Sequence, residues 1–317
     1  MAKETESTPF VAVAAERRYR ASRCHGVLAD YWALTKPEVN LLILITTGAA
    51  FYLGYPTQGH LFPFALFIHT LLGTLLVASG TGTLNQFVEW RFDAQMRRTA
   101  WRPIPAGRLA PSAALRFGIL LTVAGSIYLA AAVNTLASFL AVLTSVSYLF
   151  LYTPLKRRTP LCPLVGALPG AIPPLIGWAA ASGDLSLEAS ILYALLFLWQ
   201  LPHVTAIAWM YREDYERAGY LVLPQGEGQG SAMAWQSILP TVLLVPISII
   251  PMLRSHAGLI YPVGALALSW TFFCFGAELA ISRSNVAARR LLFASIIYLP
   301  FVLFLMVLDK FLAPARY

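Results

Sequence analysis

Nine apolar segments, most of them close to the length of a membrane-crossing helix, run almost back to back through this chain of 317 residues. A hydrocarbon layer takes roughly 20 helical residues to cross. Most of these segments approach that length. The chain is therefore predicted to be all-α: a polytopic transmembrane helical bundle of about nine spans. The spans are placed at Val39–Leu53 (reaching back to Lys36), Phe62–Val88, Pro111–Val133, Thr135–Tyr152, Leu164–Ala181, Leu187–Met210, Ala234–Leu253, Leu259–Ile281 and Leu291–Phe311. Charged residues form only 12% of the chain and mean hydropathy is +0.65; a soluble domain carries about 25% charged residues. Residues 37–317 are read as one transmembrane domain and residues 1–36 as a short polar arm.

The links between spans alternate in charge. One set carries Arg91, Arg97, Arg98, Arg102 and Arg108; then Lys156, Arg157 and Arg158; then Arg212 and Arg217; then Arg283, Arg289 and Arg290. The opposite set, Tyr55–Leu61, Ala132–Thr135, Ser182–Leu187 and Arg254–Gly258, is nearly bare of cations. The positive-inside rule puts the first set, and the N-terminal arm, in the cytoplasm. The net charge of +8 is explained by that orientation and does not indicate a nucleic-acid partner. Lys310 and Arg316 then fall on the far side, as exceptions. Glu4, Glu6 and Glu16 argue against a mitochondrial transit peptide, so a bacterial plasma membrane is expected. Cys24, Cys162 and Cys274 are far apart and imply neither a disulfide framework nor a zinc site.

The second span ends on Asn85, Glu89 and Asp93, spaced by four. On a helix such residues share one face. Acids at a membrane edge are costly and mark function. Oxygen ligands this close suit Mg²⁺, which takes one or two carboxylates and leaves the rest of its coordination to phosphates. Arg97, Arg98 and Arg102 follow at once and suit the phosphates. A second cation cluster, Lys156 and Arg157 in YTPLKRRTP, can neutralise a diphosphate leaving group. In a third stretch, Gln200 and His203 lie at or near apolar depth beside Pro202, which is expected to kink its helix. Tyr211 and Asp214 follow at the helix end as substrate-binding candidates, and Glu213 and Asp214, with Glu216, as ligands for a second Mg²⁺. Gly166–Gly177, rich in Gly and Pro, predicts a broken, closely packed helix. Phe87 and Trp90, on faces next to the acidic stripe, are expected to line the cavity. A weak echo between the acids after the second and sixth spans suggests two related halves.

These motifs together resemble a known family. N-x3-[DE]-x3-D followed by MRRT and RP, then YTPLKRRTP, GALPGAIPPLIGW, QLPH and DYERAG with LP, are similar to the protohaem IX farnesyltransferases, a branch of the intramembrane UbiA prenyltransferase superfamily. The match runs from about Leu34 to Pro224. It implies a nine-span bundle around a lipid-facing cavity with a cytoplasmic cap. Farnesyl diphosphate and haem B would be the substrates, Mg²⁺ the cofactor, haem O the product and a downstream haem A synthase a partner. Catalytic roles fall on Asn85, Glu89, Asp93, Lys156 and Arg157. Substrate contacts fall on Arg97, Arg98, Arg102, Gln200, His203, Tyr211 and Asp214. The chain departs from the pattern at Glu89, where many members have Asp; at Glu213-Asp214, which lack the D-x3-D spacing; and at Cys162, where a polar residue, often Asn, is expected. Two alternatives remain: a prenyltransferase for a quinone precursor or chlorophyll-type acceptor, and a porphyrin or lipid transporter. A transporter calls for charges at the midplane of several helices, whereas here they collect at one face.

Overall fold

The computed structural model describes residues 26–56, 61–223, 229–255 and 260–312. Expectations placed on the arm up to residue 25, on residues 57–60, on Pro224, on the Arg254 side chain with residues 256–258, and on Arg316 lie outside the described residues. Within them the chain is helical and contains no strand. Nine helical stretches are long and apolar enough to cross a membrane, as expected. In chain order the helices are α1 (Val27–Leu34), α2 (Pro37–Gly54), α3 (Phe64–Asp93), α4 (Pro111–Ala132) and α5 (Thr135–Leu155). They continue with α6 (Cys162–Gly170), α7 (Pro173–Ser182), α8 (Leu187–Met210), α9 (Arg212–Arg217), α10 (Gln229–Ser255), α11 (Ile260–Ser282) and α12 (Asn285–Leu312).

Local chemistry fixes the ends. Pro37, Pro111 and Pro173 open α2, α4 and α7, where a missing N–H costs nothing. Asn134 caps α5 by accepting from the Ala137 N–H at 2.8 Å, so the two-residue link after α4 forces a tight antiparallel pair. The predicted break in the Gly/Pro-rich span falls between Gly170 and Pro173, splitting it into α6 and α7. Pro202 lies inside α8, which continues through it from Leu187 to Met210.

Neighbouring spans pack into a closed ring. α3 lies along α4 with Gly73 and Gly80 facing Leu129 and Thr122, and Gly118 and Gly125 facing Leu84 and Val77. Small residues let the two backbones approach, as membrane helices require. α7 lies on α2 in the same way: a Cβ on Gly177 would collide with the Thr47 carbonyl oxygen. α8 packs on α10 and α12, and α12 returns to α2. That closure explains Lys310. Its ammonium donates to the Tyr52, Leu53 and Tyr55 carbonyls at 3.1, 2.7 and 2.7 Å. It thus satisfies the last carbonyls of α2, the negative end of the helix dipole. A lysine on the wrong side by the loop-charge rule is a helix cap.

Alternating spans put the C-termini of α3, α5 and α8 and the N-termini of α2, α6 and α12 at one end. There α1 lies against α3, with Gln86 Nε2 donating to the Leu34 carbonyl at 3.0 Å. The link after α3 is itself folded, with Met96, Thr99 and Ile104 buried. Arg108 ties it to α1 through buried Asp30 at 2.9 Å.

Candidate active site

The chemistry gathers at this end. α3 does not stop at the hydrophobic edge near Val88 but continues to Asp93. The extra turn carries the acidic stripe inward. Asn85, Glu89 and Asp93 are 2%, 5% and 1% exposed, so they line the interior and are not a solvated helix end. Three cations, each from a different part of the chain, meet them. Lys36 Nζ donates to Asn85 Oδ1 at 2.8 Å. Lys156 Nζ donates to Glu89 Oε1 at 2.8 Å. Arg102 Nη1 donates to Asp93 Oδ2 at 2.8 Å.

Lys36 is the residue that sequence reasoning missed. It precedes Pro37 in the left-handed conformation, with φ 54°, which few side-chain-bearing residues adopt. A lone Lys-Pro at the mouth of the first span was the only signal. Burial, reinforced by the positive Arg102, lowers its pKa to about 7. Burial also opposes the charge of Lys156, but Glu89 outweighs it and holds that ammonium well above its ordinary pKa.

Lys156 is delivered by an irregular stretch. Residues Ser147–Tyr152 of α5 form a π-helical turn, a device frequent at functional sites. It sets the Lys156 ammonium 4.7 Å from the Tyr152 ring centroid and 5.9 Å from that of Tyr220. Phe92 joins this aromatic wall, 5.9 Å from Tyr220, with Arg157 4.3 Å over its ring. Glu89, Phe92, Thr153, Arg157, Arg158 and Tyr220 border a cavity of about 400 Å³. The expected aromatics are corrected here. Phe87 and Trp90 face away, packing with Tyr31 and Phe117 against Leu34 and Ile104. One helical face cannot serve both sides, and Phe92, Tyr152 and Tyr220 line the stripe instead.

The remaining expected residues divide. Arg98 is close by, its guanidinium 4.8 Å over the Tyr211 ring and bonded to the Tyr215 hydroxyl at 3.3 Å. Its buried Nε has no hydrogen-bond partner among the described residues, which is costly unless an acceptor arrives. Arg97 and Arg157 are exposed. The second acidic pair does not come together. Glu213 is exposed. Asp214 is buried, but its oxygens already accept from the Arg97 and Arg98 N–H groups at 3.2 and 3.1 Å and from Arg217 at 3.1 Å. Gln200 and His203 sit deeper along α8. Gln200 donates to the Leu196 carbonyl and lies against Gly170 at the α6–α7 break. His203 stacks on Trp199 and shares a 2.7 Å hydrogen bond with Ser295 of α12. Cys162 and Cys274 are free thiols.

No three His, Cys, Asp or Glu side chains among the described residues form a metal cluster. The stripe offers two carboxylates and an amide oxygen. Its structure fits a hard cation shared with a phosphate: each of the three oxygen carriers already holds a positive group. Two carboxylates facing three cations leave one positive charge when Lys36 is protonated, which a divalent ion and a triply charged diphosphate ester together would cancel.

The sequence profile described as the UbiA prenyltransferase family matches residues 42–299. The chain is 45% identical over 289 residues to "Protoheme IX farnesyltransferase" of Solibacter usitatus, covering 89% of this chain and 99% of that one. It is 44% identical to the protein of the same name from Salinibacter ruber, covering 90% and 100%. Among solved structures, that of a digeranylgeranylglyceryl phosphate synthase superposes with a TM-score of 0.71 at 18% identity, covering 89% of this chain and 98% of the other. A UbiA homologue from Archaeoglobus fulgidus, bound to DMAPP and Mg²⁺, superposes with a TM-score of 0.58 at 14% identity, covering 88% and 99%. Both are similar in fold.

Proposed function

The chain belongs to the UbiA prenyltransferase family, and from that membership we propose that it transfers the farnesyl group of farnesyl diphosphate to a vinyl group of haem B, giving haem O and diphosphate. The choice of acceptor is supported by the name its 45% and 44% identical relatives carry. The observation that carries the diphosphate half is the buried Asn85/Glu89/Asp93 stripe, met by Lys36, Lys156 and Arg102.

Asn85, Glu89 and Asp93 would hold Mg²⁺, which when bound supplies Lewis-acid neutralisation of the diphosphate. The work of the chain's own side chains follows from their positions. The bond between C1 of the farnesyl chain and its oxygen breaks, and the electron pair leaves on the diphosphate. Lys156, Arg102 and the unpartnered Nε of Arg98 hold that charge as it develops, where preorganised donors act most strongly. Arg97 and Arg157, exposed at the rim, reach the outer phosphate oxygens. The allylic cation left at C1 is faced by the rings of Phe92, Tyr152 and Tyr220. The vinyl π pair of haem B forms the new carbon–carbon bond. Water adds to the second vinyl carbon and loses a proton, leaving the hydroxyl.

The basic face and its site are assigned to the cytoplasmic side of a bacterial plasma membrane, with a haem A synthase as the consumer of the product. The test is purified protein with farnesyl diphosphate, haem B and Mg²⁺, followed by the mass of the haem product. Haem O should form, and Asp93→Asn should lower its rate about 100-fold. A wild-type enzyme that leaves haem B untouched while prenylating a quinone precursor overturns the choice of acceptor.

A further inference from the structure

The α9 segment carries groups that the chemistry above does not use, and two of them, Asp214 and Arg217, meet the link after α3. Asp214 is buried, yet it lies at the end of a membrane helix where water is near. Its carboxylate accepts two consecutive backbone N–H groups, those of Arg97 and Arg98, 117 and 116 residues away. Consecutive N–H groups turned toward one anion form a small anion-binding concavity, and here the anion is the protein's own. Arg217, one turn on, bonds Asp214 at 3.1 Å and reaches the Gln95 carbonyl at 3.4 Å. Tyr215 accepts from the Arg98 guanidinium, and the Tyr211 ring lies under it. Just past α9, the Leu221 N–H donates to the Lys156 carbonyl at 2.7 Å. One short segment therefore grips the backbone of both cation-bearing links, at Arg97–Arg98 and at Lys156.

We propose that Asp214 is a positioning residue and not a metal ligand: its carboxylate fastens the Arg97–Arg98 turn so that the Arg98 and Arg102 guanidiniums stand at the diphosphate. Unlike Glu89 and Asp93, Asp214 has both carboxylate oxygens given to backbone N–H donors, which leaves little for a cation. The turn it holds is four residues before Arg102, the partner of Asp93. Releasing it frees that link to rotate both guanidiniums out of place.

This inference rests on the diphosphate reading above, and its test separates the two. Asp214→Asn and Asp214→Ala are compared with Asp93→Asn and wild type in lipid nanodiscs. Three quantities are read: the KM for farnesyl diphosphate, the half-saturating Mg²⁺ concentration, and the rate of tryptic cleavage after Arg97 and Arg98. Asp214→Ala should raise that KM roughly tenfold and quicken cleavage, with the Mg²⁺ requirement unchanged. Asp214→Asn, which keeps one acceptor, should fall between. Asp93→Asn should shift the Mg²⁺ requirement and leave cleavage slow. A several-fold rise in half-saturating Mg²⁺ for either Asp214 variant overturns the proposal, as does unchanged cleavage in Asp214→Ala. If wild type makes no prenylated product, the diphosphate reading fails, and the cleavage rates alone decide whether Asp214 fastens the turn. If Asp214→Ala does not fold, Asp214→Asn gives the same decision at smaller amplitude.

Discussion

Lys156 Nζ sits 2.8 Å from Glu89 Oε1, with the two side chains only 14% and 7% exposed. Sixty-seven residues separate them, and they arrive from two different spans. In this surrounding neither charge is tolerable alone. Each is the other's charge partner, so the pair is ready for a ligand that takes the ammonium while a cation takes the carboxylate.

Removing one partner leaves the other buried and unmatched. Lys156→Ala should lower stability by about 3 to 5 kcal/mol and abolish haem O formation. The double variant Glu89→Gln/Lys156→Gln should recover most of the stability and none of the activity. Thermal unfolding in detergent and the mass of the haem product check the two halves separately. Equal stability of the single and double variants would show that the two charges are not coupled.

Lys36 meets Asn85 and comes from the entrance of the first span. Lys36→Met keeps the length of the stem and removes the charge beside the diphosphate. We expect the KM for farnesyl diphosphate to rise about tenfold, with that for haem B unchanged. Initial rates with each substrate varied in turn distinguish the two. An unchanged KM for both would remove Lys36 from the site.

The depth of His203 in α8 suggests a substrate contact, but its hydrogen bond joins α8 to Ser295 of α12 while its ring stacks on Trp199 of its own helix. A helix tie of this kind contributes about 1 kcal/mol. His203→Ala should lower the unfolding temperature by a few degrees and leave the KM for haem B where it was. A raised KM for haem B at unchanged unfolding temperature would return His203 to a substrate role.

The spans, their order and the end at which the cations gather were readable from the chain because each depends on neighbouring residues alone. Twenty apolar residues must form a helix in lipid, and loop charge orients it. The Asn85/Glu89/Asp93 face was readable for the same reason: a spacing of four is a local property of one helix. What those groups touch is set by packing between distant segments, and no local pattern encodes it. Lys36 on Asn85, Phe87 and Trp90 turned toward α1 and α4, Asp214 on the Arg97–Arg98 backbone and Lys310 on the end of α2 were decided only when the helices closed into a ring.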